Sequence, residues 1–248
     1  MATQHAAAQS ARAGLTLSEL ASIHDTSSRT IQRWIQTGVL NVEKIRVGRT
    51  VTYRVLDDLP IVDTGKIEYA TRLLLEAIGA DLTDPSLIET PARVARWWRE
   101  FIRYDAGQTG KMFHVEQRTD LVMLTGLRVW SLCEHHLLPF YCDLAIAYRP
   151  LEQQVIGLSK LARIALEHSH RLQVQERLVS GIADQLRSIT GATSVAVLAS
   201  GQHLCMGMRG VERPGTMRTL HTTGLFTPGE ALHQTFIDLA DIPQPHHR

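Results

Sequence analysis

From residue 120 onward, the spacing of apolar residues changes from helical to β-rich, and this change constrains the fold more than any other feature. Four runs are suited to strands, and they lie at residues 121–130, 141–148, 193–199 and 204–210. Two stretches with helical spacing, about 159–170 and 173–189, lie between the second and third runs. Two strands, two helices and two strands predict an α+β fold, an antiparallel sheet with helices on one face.

Two helices are predicted upstream of this sheet. The first has helical spacing over residues 67–78 and is closed by Gly79. The second begins at Thr90-Pro91, with Thr90 as N-cap and Pro91 at the first helical position. A short linker at residues 60–65 separates these helices from the N-terminal part of the chain.

Residues 15–59 carry the pattern of a smaller unit. Thr16 and Glu19 fit a capping box, in which an N-cap hydroxyl is followed three residues later by a carboxylate. After a polar turn, a second helix ends at Gly38, and two β-rich runs within residues 44–54 predict a hairpin. Helix, tight turn, helix and hairpin is the order of a winged helix-turn-helix domain.

This N-terminal segment resembles the small excisionase and MerR-type DNA-binding domains. Residues 27–54 contain six basic residues and one acidic residue, a local net charge of +5 that suits contacts with DNA phosphates. The candidate DNA contacts are Arg29, Arg33, Arg46 and Arg49. The alternative is an interaction module that does not bind DNA.

The composition excludes several classes of protein. The 248 residues are 44% hydrophobic with a net charge of +1, so the chain can bury a core but does not bind polyanions by overall charge. No apolar run approaches the roughly 20 residues of a membrane span, and residues 1–14 predict a disordered tail rather than a signal peptide. Three cysteines are too few for a disulfide framework. We therefore expect a cytoplasmic protein with free thiols and no membrane partner.

Two distant segments combine cysteine with histidine. Cys133 and His136 are three residues apart at the end of a predicted strand, and a tight turn could bring both to one cation. His203 and Cys205 are two apart in a predicted strand, so their side chains would share a face. Two thiolates and one imidazole suit Zn²⁺ and leave a fourth position for water, as in catalytic sites. The alternative is that the cysteines are small buried apolar residues, the interpretation we give to Cys142.

Four sequence blocks resemble the signature blocks of GTP cyclohydrolase I, in the same order. They are Cys-Glu-His-His at 133–136, Gly-Leu-Ser-Lys-Leu-Ala-Arg at 157–163, Gln-Val-Gln-Glu-Arg at 173–177 and His-Leu-Cys-Met-Gly-Met-Arg-Gly at 203–210. Residues 89–96 resemble an upstream helix motif of the same family. The resemblance extends from about residue 66 to the C-terminus.

The resemblance implies a reaction and the residues that perform it. Its zinc ligands would be Cys133, His136 and Cys205, and its catalytic imidazoles would be His135 and His203. The reaction would hydrolyse GTP to 7,8-dihydroneopterin triphosphate and formate, the first step of pterin and folate biosynthesis. The resemblance also implies the tunnelling fold and a homo-oligomer, a decamer, with active sites between neighbouring chains.

The resemblance further implies the contacts with GTP. Glu176 would accept hydrogen bonds from the guanine N1–H and exocyclic amine, a pattern that adenine cannot offer. The other substrate-binding positions would be Gln175, Ser159, Lys160, Arg163, Arg209, Arg96 and Arg93. For Arg93, a surface cation on a helix is the open alternative.

We therefore predict three regions: a tail at 1–14, a winged helix-turn-helix domain at 15–62 and a catalytic domain at 63–248. The competing hypothesis is a transcriptional regulator that senses GTP or a pterin through a cyclohydrolase-like domain. A zinc deaminase is disfavoured because the chain has no Cys-x-x-Cys pair.

Overall fold

The computed structural model describes residues 15–23, 26–37, 40, 42–47, 50–55 and 62–240. The chain forms two compact units, one ending at Gly107 and the other beginning at Gln108. The elements of the first unit are α1 (Leu17–Ile23), α2 (Ser28–Thr37), β1 (Val42–Val47), β2 (Thr50–Val55), α3 (Thr64–Ala77) and α4 (Thr90–Ile102). The predicted boundary near residue 62 stays a prediction.

The N-terminal elements follow the predicted order of helix, helix and hairpin. The capping box is confirmed, because the Glu19 amide donates to Thr16 Oγ1 at 3.2 Å and the Thr16 amide donates to Glu19 Oε2 at 2.8 Å. β1 and β2 pair antiparallel, with Val47 opposite Thr50, which confirms the hairpin. A small core holds these elements together: Leu20, Ala21, Ile31, Trp34 and Leu40. Gly38 and Arg49 lie outside the described residues.

The two upstream helices are present, with one cap different from the prediction. Asp63 caps α3 by accepting a hydrogen bond from the Lys66 amide at 3.0 Å, and Gly79, at φ 78°, follows the end of that helix. Thr90 is the first residue of α4 rather than its N-cap, and Glu89 takes the cap position. The Thr90 hydroxyl accepts from the Arg93 side chain at 3.0 Å, not from a backbone amide of the first turn.

The second unit is built on a five-stranded sheet. The strands in it are β4 (Val122–Cys133), β5 (Pro139–Tyr148), β7 (Leu172–Gln173), β8 (Val195–His203) and β9 (Thr216–Thr222), and a separate pair is β3 (Met112–His114) with β6 (Gln154–Ile156). The order is β7-β4-β5-β8-β9, and all neighbours are antiparallel except β4 and β7. The helices are α5 (Leu158–Ser169), α6 (Gln175–Thr190), α7 (Leu204–Gly207) and α8 (His233–Ala240). The α+β prediction is confirmed.

The predicted strand at 204–210 is wrong, because Leu204–Gly207 forms a helical turn and the fourth long strand is β9. β8 pairs with β5 as far as His203, which lies opposite Phe140. The next residue of β5 in that register is Pro139, which has no amide hydrogen to extend the ladder. The chain turns there instead, and the Met208 amide donates to the Leu204 carbonyl at 3.0 Å.

Helices cover both faces of the sheet. α5 and α6 bury apolar residues such as Ile164 and Ile182 against one face, as predicted. Phe236 of α8 packs with Phe226 against Ala147 on the other face, so the prediction of helices on one face holds only for α5 and α6. None of the helices in the described part of the chain combines the length and apolarity of a membrane-spanning helix.

Candidate active site

The turn between β4 and β5 brings His136 back towards Cys133. Cys133 is the last residue of β4 and is buried, while residues 134–136 form the turn. The Leu137 amide donates to the Cys133 carbonyl at 2.8 Å, and the Cys133 amide donates to the Leu138 carbonyl at 2.9 Å. Leu137 adopts a φ of 57°, which lets the chain reverse within these few residues.

Cys205 reaches the same place from the other side of β5. It lies in α7, directly after the end of β8, so it approaches from a helical turn rather than from the predicted strand. One ligand atom from each of Cys133, His136 and Cys205 lies within 4.8 Å of the others. The structure therefore brings together the three residues predicted as metal ligands.

The donor set and its spacing fit a zinc ion. Two sulfurs, each about 2.3 Å from zinc at a tetrahedral angle, would be about 3.8 Å apart, so small side-chain movements suffice to close the site. Burial raises the pKa of the Cys205 thiol, and its hydrogen bond with Cys133 acts in the same direction. A cation that binds the sulfur of Cys205 would therefore displace its proton.

His203 is held by the residues around its ring. Its Nε2 lies 2.9 Å from Oε1 of Gln175, and its ring stacks on Phe140 with centroids 4.5 Å apart and an angle of 7°. Burial lowers the pKa of His203, and the nearby Glu176 carboxylate opposes that shift. The lowered pKa favours a neutral imidazole near pH 7.

Three more predicted residues lie at the edge of the metal-ligand cluster. His135 Nδ1 is 3.8 Å from Cys133 Sγ, which places the first imidazole beside a ligand. Arg209 donates from Nη1 to His136 Nε2 at 2.7 Å and adds a permanent positive charge. Glu176 is exposed in the first turn of α6 and acts electrostatically on His203.

Five other residues predicted to contact GTP lie on α5 and α4. Ser159, Lys160 and Arg163 are on α5, where Lys160 Nζ donates to the Gln108 carbonyl at 2.6 Å. Arg93 and Arg96 are exposed on α4 of the first unit, and Arg93 is held locally by Glu89, Ser86 and Thr90. Their contacts with GTP stay predictions.

Sequence reasoning missed the contacts that hold the ligand turn in place. Arg177 of α6 forms an ion pair with Glu134, the residue between Cys133 and His135. The same guanidinium donates to the Leu172 carbonyl at 2.9 Å and to Gln173 Oε1 at 2.7 Å. Arg177 and Glu134 stand inside two of the signature blocks, but nothing in the sequence indicates that they pair.

Comparisons with known proteins point to one family. Residues 67–241 match the family GTP cyclohydrolase I. A relative from Hyperthermus butylicus named GTP cyclohydrolase 1 is 42% identical over 186 residues, which cover 75% of this chain and 93% of the relative. A relative of the same name from Clostridium perfringens is 43% identical over 178 residues, covering 69% of this chain and 95% of the relative.

One solved structure, the archaeosine synthase QueF-Like in the apo form, matches with a TM-score of 0.36 and 15% identity, covering 44% of this chain and 97% of that one. At that TM-score the likeness supports no conclusion. The match over residues 67–241, together with relatives above 40% identity, shows that the chain belongs to the GTP cyclohydrolase I family and is an enzyme of that family.

Proposed function

We propose that the chain is a zinc-dependent enzyme that hydrolyses GTP to 7,8-dihydroneopterin triphosphate and formate. The observation that carries this proposal is the convergence of Cys133, His136 and Cys205 within 4.8 Å, with His135 beside Cys133 and His203 two residues before Cys205. Zinc bound at such a site would lower the pKa of a water ligand towards about 7.

The chain's own side chains supply binding and proton transfer in this proposal. Glu176 would accept hydrogen bonds from the guanine edge, and Arg209 would contact the triphosphate, with Lys160, Arg163 and Arg96 as further cations. His135 and His203 would exchange protons with the ring nitrogens as the C8–N9 and C8–N7 bonds break, because imidazole gains and loses protons near neutral pH.

Incubation of the purified protein with GTP tests this proposal. We expect one formate for each GTP consumed and, after oxidation of the other product, a fluorescent pterin. Removal of zinc with a chelator should abolish both products, and added zinc should restore them. Cys133→Ala should abolish turnover, whereas Cys142→Ala, a cysteine outside the cluster, should retain it. An undiminished rate in fully zinc-depleted protein would contradict the proposed ligand set.

We also propose that residues 15–62 form a winged helix-turn-helix module that contacts DNA. The order of α1, α2 and the β1–β2 hairpin supports this, as do the exposed side chains of Arg29, Lys44 and Arg46. Arg33 is also exposed, although it forms an ion pair with Asp105 at 3.3 Å, so a DNA phosphate would compete with that carboxylate. Arg49 lies outside the described residues.

Binding of full-length protein to a labelled duplex, measured over a range of salt concentrations, tests the module. If Arg29 contacts a phosphate, Arg29→Ala should weaken binding and reduce the salt slope by about 1. Arg187→Ala, a substitution on α6, should leave both unchanged. Absence of binding at low salt would refute the DNA proposal.

The hypothesis of a transcriptional regulator predicts a different result with GTP from the hypothesis of an enzyme. A sensor would bind GTP without releasing formate, so formate release decides between the two. The presence of both His135 and His203 in the two segments that carry the ligands supports the enzyme, because a sensor has no need of proton-transfer groups.

We further propose that the chain assembles into a homo-oligomer. Exposed apolar side chains on α3 and at its C-cap, including Leu74 at 60% and Ile78 at 69%, support an interface there. Light scattering on the full chain tests this proposal, and a mass of one chain at micromolar concentration would contradict it.

A further inference from the structure

The side-chain amide of Gln175 is enclosed beneath His203. Only 1% of Gln175 is exposed, and its Nε2 lies 3.1 Å from the Ala199 carbonyl, 3.0 Å from the Met217 carbonyl and 3.1 Å from Thr219 Oγ1. Its Oε1 lies 2.9 Å from His203 Nε2. Every polar atom of this amide thus has a protein partner.

These partners fix the orientation of the amide. Carbonyl oxygens can only accept hydrogen bonds, so the NH₂ group must face Ala199 and Met217. A flipped amide would direct its oxygen at two other oxygens and leave buried acceptors unpaired, which is costly. The oxygen of Gln175 therefore faces His203.

The orientation of Gln175 in turn fixes the proton on the imidazole. An amide oxygen can only accept, so His203 must carry a hydrogen on Nε2. In the neutral ring, Nδ1 is then the nitrogen with a free lone pair. We infer that Gln175 is a positioning residue that holds His203 as its Nε2–H tautomer, so that Nδ1 is the atom that exchanges protons with the substrate. This inference rests on the proposed cyclohydrolase activity.

The space for this arrangement is provided by Gly201. A Cβ at that position would lie 2.2 Å from Gln175 Oε1 and 2.8 Å from Cys142 Sγ, so any other residue would displace the amide. Phe140 stacks on the imidazole and restrains its plane. With its two amide hydrogens shared among three acceptors, the side chain of Gln175 has no donor left for GTP, so a substrate contact of the kind that the resemblance implies would use its backbone.

The same helix provides a matched control. Gln185 of α6 accepts through Oε1 from His168 Nε2 at 2.7 Å, and its own Nε2 donates to Glu167 Oε2 at 2.9 Å. This pair joins the same two atoms as Gln175 and His203, a glutamine Oε1 and a histidine Nε2. Neither Gln185 nor His168 belongs to the site. Gln185→Met therefore removes an equivalent hydrogen bond without touching the cluster.

Neutron diffraction from deuterated crystals of the zinc-loaded full chain, at a pD of about 8.5 where histidine is neutral, tests the tautomer. We expect deuterium on Nε2 of His203, directed at Gln175, and on Nε2 of His168. Deuterium on Nδ1 of His203 with none on Nε2 would overturn the inference. This readout does not depend on turnover, so it separates failure of the inference from failure of the proposed function.

Steady-state kinetics test whether this positioning by Gln175 matters for turnover. Gln175→Met should lower kcat for GTP by about 10- to 100-fold, the range known for partners that orient metal-bound histidines, with KM changed less than threefold. Gln185→Met should keep kcat within twofold. If Gln175→Met does not fold, Gly201→Ala should displace the same amide and lower kcat similarly. A raised KM with unchanged kcat would make Gln175 a substrate-binding residue and overturn the inference.

Discussion

Cys133, Cys142 and Cys205 differ in what surrounds their sulfur atoms. Cys142 is fully buried in the middle of β5, and this burial raises the pKa of its thiol to about 12. Cys133 ends a strand and Cys205 lies in a short helical turn, so both can turn towards a common ion. Position within an element thus separates the proposed ligands from the structural cysteine.

Alkylation should report this difference. In chelated protein at pH 8, we expect iodoacetamide to modify Cys205, which is partly exposed, and to leave Cys142 unmodified because a thiol with so high a pKa supplies almost no thiolate. Zinc should slow modification of Cys205 by at least about 10-fold, since a metal-bound sulfur is a poorer nucleophile. Peptide mass spectrometry locates the label, and equal labelling of Cys142 and Cys205 would refute the prediction.

His168 should make the stability of the protein depend on pH. Burial lowers its pKa, and the nearby Arg171 lowers it further, so the folded state binds this proton less tightly than the unfolded state. The free energy of unfolding should therefore be highest above pH 6.5, the ordinary value for histidine, and should fall as the pH drops through the folded pKa.

Urea unfolding at pH 8 and pH 5.5 measures this effect. His168→Asn should remove about 1 kcal/mol or less of the difference between the two pH values, whereas His114→Asn, at an exposed position, should not change it. The account of His168 fails if its variant has the same pH dependence as the wild type.

At the scale of elements, the first turn of α6 organises the site. Gln175, Glu176 and Arg177 are consecutive, and successive residues of a helix point in directions about 100° apart. The first bonds to His203, the second acts on His203 through its charge, and the third pairs with Glu134 in the ligand turn. One helix end thereby joins both halves of the ligand cluster.

Loss of the Arg177 contact should loosen the ligand turn. Arg177→Met removes the ion pair with Glu134 and the hydrogen bonds to the strand before α6, so we expect zinc affinity to fall by about 10-fold. Arg187→Met is the control, because Arg187 lies on the same helix and pairs with Asp184, a residue outside the ligand turn. Competition with a chromogenic chelator measures the zinc affinity of both variants. Equal affinities for Arg177→Met and Arg187→Met would show that the ion pair does not restrain the turn.

The sequence allowed some elements to be predicted better than others. Apolar spacing was sufficient to predict α5, α6, β4, β5 and β8, whereas β9 was not predicted. The error at 204–210 came from an apolar run whose end depends on Pro139 in a distant strand. The role of Gln175 could not be predicted either, since its partners Ala199, Met217 and Thr219 are brought to it only by the sheet.

At the scale of the whole molecule, the enzyme and the N-terminal elements are separable in sequence. The family match begins at residue 67, and the Hyperthermus butylicus relative is covered over 93% of its own length by 75% of this chain. We therefore expect deletion of residues 1–62 to leave kcat/KM for GTP within about twofold. A control that keeps the full chain and carries Arg29→Ala should have the same turnover, and a large loss in the deletion alone would mean that the N-terminal elements support the catalytic part.

The ligand set is the claim on which the rest of the account depends, and X-ray absorption at the zinc edge measures it most directly. For one zinc per chain, we predict two sulfur neighbours at about 2.3 Å and nitrogen or oxygen neighbours at about 2.0 Å. Cys205→Ser should reduce the sulfur count to one, and Cys142→Ser should leave it at two. A wild-type spectrum with no sulfur neighbours, or one unchanged by Cys205→Ser, would contradict the proposed site.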